Sequence, residues 1–391
     1  MKTIIRQLTT LLALAALAGA QTLFAQLNVP SDGSDGVLNI TSNTVIDLSQ
    51  AVTGTWSDDN TANSGKGVYD PAKWAVVFKY QSVNIANGAK VWFANHASHA
   101  PVVWLVQSNV ILNGTVSLDG RNAVYGIPQA LFPAEPGPGG FRGGAYSALG
   151  NGAGYGPGGG ATSSDGASYV GAYGNPQILP LIGGSGNKGE GNGRAGNSAG
   201  GAILIVSAGT IALNGNISAL GGSDEYDYYY HHYAHASGGA VRLIANQVTG
   251  SGNVSADRTR VEANMASSQL IITPNTVAVP PGTTPLIWPD SNAPVVSVVS
   301  VNSSSAPIDP LAGLVTTSDI SIGTNSPVEI LLQTQHFPPN GSVIVRVTPK
   351  YADFFNVNAI FQSGTFTNAI WKATTTLPNG FCVLQAHATS P

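Results

Sequence analysis

The stretch SNVILNGTVSLDG at residues 108–120 returns as GTIALNGNISALGG at 209–222, with Leu-Asn-Gly kept at the centre and apolar and small residues alternating on both sides. Similar pairs of short runs flank Asn87-Gly88 in SVNIANGAKVWF and Ser251-Gly252 in QVTGSGNVSA. Period-two alternation marks half-buried strands. Asn-Gly between them favours the positive φ of a sharp turn, for which a hairpin is the usual outcome. Upstream of each turn stands one more β-rich run: WAVVFKY (74–80), APVVWLV (100–106), GAILIVS (201–207) and GAVRLIA (239–245). Two or three short strands recurring at one offset are the grammar of a stacked rung rather than of isolated hairpins.

The turn glycines Gly88, Gly114, Gly215 and Gly252 are separated by 26, 101 and 37 residues. Allowing an insertion of about 75 residues in the second interval and about a dozen in the third, each repeat is about 25 residues long, one coil of a parallel β-helix. No sustained 3.6-residue periodicity follows the N-terminal segment, so the expected class is all-β. Residues 27–272 are expected to form a right-handed parallel β-helix whose first coil is VLNITSNTVIDLSQAV (37–52). A β-sandwich of hairpins is the alternative.

Residues 126–200 hold half of the chain's 48 glycines without the strict period of three that collagen needs. They read as an excursion between two stacked coils, with Phe141, Tyr146, Tyr155, Tyr169 and Tyr173 placed to pin it to the solenoid side; whether it is ordered stays open. The proline-rich stretch 273–291 reads as an extended linker. Residues 292–391 carry seven short β-rich runs separated by Pro, Asn and Gly turns, the pattern of an immunoglobulin-like β-sandwich, though without a Cys-Trp-Cys core.

The chain opens MKTIIRQLTTLLALAALAGAQTLFAQ, with Lys2 and Arg6 before an apolar run and small residues after it. This is the layout of a secretory signal peptide over residues 1–25, too short to span a bilayer. The expected location is extracellular or at the outer cell surface, with the periplasm as the other option. Only 9% of residues are charged and the formal net charge is −4. Nucleic acid and anionic membranes, which demand clustered Lys and Arg, are poor partners for such a surface. Cys382 is the single cysteine, so no internal disulfide exists; it reads as a small buried residue, with a reactive thiol as the alternative.

One segment is chemically loud. SDEYDYYYHHYAHASGG, residues 223–239, gathers five of the 13 tyrosines and three of the seven histidines into an insertion spanning 223–237. Clustered tyrosines offer flat contact area and hydroxyls at low entropy cost. Tyr228, Tyr229, Tyr230 and Tyr233, with His231 and His232 as polar anchors, are therefore the candidate binding residues. Asp227, His231 and His235 could ligate a metal, although their spacing matches no specific pattern. Plain packing against the solenoid flank is the third option. His96 and His99 in NHASHAP read as solvated, and Asp58-Asp59 as an acidic turn.

The opening VPSDGSDG, then GKGVYDPAKWAVVFKY, APVVWLV, the Leu-Asn-Gly strand pairs and the glycine-rich insertion together resemble a group of uncharacterised, secreted, glycine-rich bacterial exoproteins. Their repeats are similar to pectin-lyase-like β-helices. The resemblance covers residues 27–272 and implies a solenoid, but it brings no catalytic residues: neither the paired aspartates of polygalacturonases nor an acidic cluster beside an arginine is found. The expected function is a structural or adhesive exoprotein without catalysis or cofactor, whose partner is a polysaccharide or a cell-surface or matrix protein. A polysaccharide lyase or glycoside hydrolase on the same scaffold is the alternative.

Overall fold

A computed structural model describes residues 27–63, 65–123, 133–147, 150–160, 173–189, 195–223, 235–274, 278–311, 318–323 and 327–391. The signal segment and most of the Tyr/His-rich insertion lie outside them. The described chain is all-β, with two one-turn 3-10 helices, and its N-terminal part is built from parallel strands.

These strands form three ladders. The first stacks the front half of Ala75–Ile85, then Val102–Val106, Ala202–Ser207, Ala240–Ile244 and Arg258–Glu262. The second stacks Gly36–Ile40, the back half of Ala75–Ile85, Val110–Leu112, Thr210–Leu213, Gln247–Thr249 and Met265–Ala266. The third stacks Thr44–Asp47, Lys90–Ala94, Thr115–Ser117, Asn216–Ala219, Asn253–Ala256 and Ile271–Thr273. Each of the five rungs from Ala75 onward thus gives one strand to each ladder, and an incomplete rung precedes them.

The two Leu-Asn-Gly phrases are neighbours. Leu213 pairs with Leu112, Ile217 with Val116, and Asn214 Nδ2 donates to Asn113 Oδ1 at 2.9 Å across 101 residues. The same offset recurs where Thr210 N donates to Asn109 Oδ1 and Ser223 N to Asn122 Oδ1, both at 2.9 Å. The strands beside each Asn-Gly pair with other rungs and not with each other, so the turns are corners and not hairpins. Of the glycines at the three Asn-Gly corners, Gly88, Gly114 and Gly215, only Gly88 has positive φ, at 78°. Gly215 is required for a different reason: a Cβ there would lie 1.9 Å from the carbonyl oxygen of Gly114 on the rung before.

Burial explains why the strand runs look different. In the second and third ladders, inward residues such as Val110, Leu112, Val116, Ile211, Ile217 and Val254 are buried while their neighbours face out, giving alternation. The first ladder is covered on both sides. Val76, Phe78, Trp104, Ile203 and Leu243 fill the interior; Val77, Val103, Leu105, Leu204 and Ile244 meet a second apolar layer that includes Leu27, Ile178, Leu181, Ile287, Trp56 and Trp288. Strands buried on both faces read as continuous apolar runs, as WAVVFKY and APVVWLV do. Residues 283–288 belong to this cover: Asn28 N donates to Thr283 O at 2.9 Å, and Trp56 packs on Trp288 with centroids 5.5 Å apart.

Two cations interrupt that outer apolar layer and both are paired, as burial demands. Lys79 is 2.8 Å from Asp32, and its ammonium also donates to Asp58 O. Arg242 donates to Glu262 Oε1 at 2.6 and 2.8 Å and to Leu286 O at 2.7 Å.

Most of the described part of the glycine-rich insertion is buried, with Gly174–Gln177 and Pro180 exposed. Phe141 N donates to Gly184 O and Gly144 N to Asn187 O; Ala199 N donates to Phe141 O and Gly196 N to Gly144 O. Donors three apart on extended segments match the three-residue turn of a polyproline II chain. Gly137, Gly140 and Gly143, like Gly183, Gly186 and Gly189, face neighbouring backbone at that period, closer than a Cβ would allow. The period of three is present locally, although the sequence as a whole does not keep it.

From Val295 onward the chain is antiparallel. Seven strands run in the order Ser304–Ser305, Val295–Val301, Val328–Gln335, Ala369–Thr375, Phe355–Gly364, Ser342–Pro349, Cys382–Thr389. Phe355–Gly364 pairs along its first half with Ser342–Pro349 and along its second with Ala369–Thr375, turning the sheet over a core of Val328, Ile330, Leu332, Val345, Val347 and Trp371.

Candidate binding cleft

The corner between Lys90–Ala94 and Val102–Val106 is the NHASHAP turn. His99 N bonds to His96 O at 2.9 Å, and His99 itself takes φ 53°. His96 Nδ1 accepts from Ser98 N at 3.2 Å and lies 2.8 Å from Ser98 Oγ, which ties the ring to the turn. The ring also stacks 4.1 Å from Tyr69, whose hydroxyl donates to Asp309 Oδ1 of the C-terminal part at 2.6 Å. Burial pushes the His96 pKa below its ordinary value, while the charge of Asp309 opposes that shift. Burial and the bond to Asp309 together raise the Tyr69 hydroxyl.

His99 reaches the glycine-rich segment. Its Nε2 is 2.9 Å from Glu135 Oε1, which also accepts from Asn95 Nδ2 at 2.8 Å; Glu135 Oε2 pairs with Arg142. Burial alone would raise the Glu135 carboxyl. The His99 hydrogen bond, the Arg142 charge and the Asn95 amide outweigh it and bring the pKa down to about 2. Arg142 spends its remaining donors on Pro133 O at 3.2 Å and Ala134 O at 3.4 Å. Trp74, in positive φ at 45°, donates its indole N–H to Ser98 O at 3.0 Å and stacks on Phe141 with centroids 6.1 Å apart.

Of these groups Trp74, Ser98, His99, Phe141 and Arg142 form one wall of a cleft of about 1070 Å³. The opposite wall comes from the C-terminal part, including Val298, Asp309, Ile320, Leu377, Cys382 and Gln385. Tyr155 lines the cleft, is only 6% exposed, and its hydroxyl has no hydrogen-bond partner among the described residues; Gln385 Oε1 is likewise unpartnered. A buried hydroxyl without a partner costs about 1–3 kcal/mol. Burial raises the pKa of the half-buried Cys382 thiol.

Comparison with known proteins gives no match: no family model fits the chain, and neither a curated protein nor a solved structure is similar to it.

The residues singled out by sequence distribute unevenly around this cleft. Tyr228, Tyr229, Tyr230, His231, His232 and Tyr233 lie outside the described residues, as does Asp227 of the metal set. His235 is described: it forms an antiparallel bridge with Ser223 at the base of that insertion. Among the described residues no group of three or more His, Cys, Asp or Glu is placed to hold a metal ion. Asp58 and Asp59 serve local structure, Asp58 through its carbonyl to Lys79 and Asp59 through Oδ1 to Thr61 N at 2.9 Å. His96 and His99, read as solvated, are instead wedged between parts of the chain. Glu135 and Arg142 were not foreseen; the available signal was a pair of opposite charges, PAEPGPGGFRGG, in a stretch from Asn122 to Ser164 that is otherwise uncharged.

Proposed function

We propose that the chain is a secreted binding protein without catalysis, carried on a right-handed parallel β-helix and followed by an immunoglobulin-like sandwich. Three parallel ladders in register support the β-helix, and the strong preference of parallel crossovers for the right hand supports its handedness. The resemblance to glycine-rich exoproteins with pectin-lyase-like repeats agrees with both. The partner is a polysaccharide or a cell-surface or matrix protein.

The observation that carries the reading is the cleft, whose lining includes Trp74, Phe141, Tyr155 and Gln385. Aromatic area with a few convergent polar groups is the chemistry of recognition. The test is retention of the purified chain on insoluble polysaccharides and on immobilised matrix proteins, with soluble sugar release assayed in parallel. Retention is expected, without release, and Tyr155→Phe with Gln385→Ala should weaken it about 3–10-fold for each hydrogen bond lost. Sugar release, or retention indifferent to both substitutions, overturns the reading.

A further inference from the structure

The seven-stranded sheet of the C-terminal part ends on two edges of different kinds. Ser304–Ser305 is two residues long, and shortness is one of the ways in which a sheet edge is kept from pairing with another chain. Cys382–Thr389, at the other end, is eight residues long and pairs with Ser342–Pro349 without a register shift. Among the described residues nothing pairs with its outer edge. The strand reads CVLQAHAT, with no Lys, Asp, Glu or Pro. Charge, proline, a bulge and shortness are the ordinary means of blunting an edge, and this strand uses none of them.

The edge lies in the cleft. Residues 382–386 line it, and Val296 and Val298 of Val295–Val301 line it as well. Leu384, Ala386, Val296 and Val298 are only partly buried against the core of the sandwich. The rim is apolar too, with Ile308 92% and Leu311 44% exposed. Successive side chains of a strand point to opposite faces, so Gln385, between two residues that pack on the core, points away from it. Its Oε1 has no partner among the described residues. Trp74, Phe141 and Tyr155 line the cleft from the solenoid side.

We propose that the cleft takes an extended, uncharged segment of a partner protein, added as a further strand along the outer edge of residues 382–386, with apolar residues at every second position. This rests on the reading of the chain as a binding protein and names which of its two partner classes the cleft fits. The edge presents main-chain N–H and C=O groups at the repeat of a strand, and an added strand satisfies them while its inward side chains extend the half-covered core. A sugar chain has neither that repeat nor apolar side chains to set against Leu384 and Val298. A second copy's sheet edge, backed by its own domain, is kept out by the solenoid wall of the cleft, whereas a single extended segment is slender enough to enter. The charged groups of the lining are already engaged: His99 and Arg142 by Glu135, Asp309 by the Tyr69 hydroxyl and Asp319 by Leu311 N. An uncharged segment therefore complements the cleft.

Panning a phage-displayed library of random linear peptides on the immobilised full chain tests this. Enriched peptides are expected to alternate apolar and uncharged polar residues, and their binding should slow amide exchange within residues 382–386. Synthetic copies N-methylated at every second amide keep their side chains; in at least one of the two parities they should bind about 10-fold more weakly, because strand addition works through the main chain. Ser297→Trp fills the cleft and Ile308→Asp charges its rim, and each should weaken binding at least as much. Both side chains are exposed, so unchanged thermal unfolding certifies that the variants fold. If no peptide is enriched, if N-methylation at either parity makes no difference, or if both variants bind as well as the wild type, the proposal is overturned. Retention on a polysaccharide without any enriched peptide overturns it too, but leaves the binding reading in place. Sugar release alongside methylation-sensitive peptide binding does the reverse: strand addition stands and the non-catalytic reading falls.

Discussion

Glu135 shows how much a single side chain organises here. It receives His99 from the solenoid corner, Asn95 from the end of a third-ladder strand, and Arg142 from its own glycine-rich segment. Its carboxyl is depressed from an ordinary 4.5 to about 2, with burial opposing the shift and the hydrogen bonds and charge overcoming it. A depressed folded pKa contributes stability that is full above the unfolded value and is lost as pH falls through the folded one. Thermal melting should therefore drop between about pH 4.5 and 2, and Glu135→Gln should flatten that drop. The side chain is partly exposed, so the loss for Glu135→Gln at pH 7 is about 1 kcal/mol after solvent screening. A pH profile identical in the two proteins would refute this account. The histidine partner was hard to foresee, because nothing local to NHASHAP announces a carboxylate about 36 residues further on.

At the scale of elements, the glycines divide by what they touch. A Cβ on Gly239 would lie 1.6 Å from Gly201 O on the preceding rung, whereas a Cβ on Gly323 would meet nothing within 4 Å. Gly239→Ala must push backbone from backbone and should cost about 3 kcal/mol; Gly323→Ala should stay within about 0.5 kcal/mol. Denaturant unfolding of the two variants decides the point, and equal stabilities would contradict the packing described. The strands themselves were legible because alternation and two-sided burial leave different traces: VILNGTVSL alternates, while APVVWLV does not. The glycine-rich bundle was legible only as a location. Its order comes from backbone hydrogen bonds between segments distant in sequence, and a segment that makes its contacts without side chains leaves little in its composition to read. The Asn-Gly corners were placed correctly for a reason that holds only at Gly88, since Gly215 answers to the rung before it.

For the molecule as a whole, the start of the first described stretch matters. Leu27 is buried in the outer apolar layer, and Asn28 bonds to Thr283. The proposed export predicts a mature N-terminus at Gln21 or Gln26, read by N-terminal sequencing of secreted material; intact Met1 in a cytoplasmic fraction would count against it. No helix among the described residues is long and apolar enough to cross a membrane. The C-terminal part is held by Tyr69 to Asp309, by Lys188 to Asp353 at 2.6 Å, and by Arg346, which donates to Gly159 O at 2.7 Å. No composition argument could supply these contacts, because each joins residues more than 160 positions apart.

The 101-residue offset between Asn113 and Asn214 also sets a timetable. Loop closure grows costlier with length, and non-local pairing slows folding. Rungs joined by connections much shorter than that offset, Ala75 to Ser117 on one side and Ala202 to Thr273 on the other, can each zip locally. Their union waits on one long search. During that search Val102–Val106 stands as an exposed apolar edge, and the intervening chain is the segment nearest to it. A connection about one-third glycine, the residue most costly to fix as a strand, is a weak competitor for that edge. The insertion thus keeps the site vacant for the partner strand that arrives last.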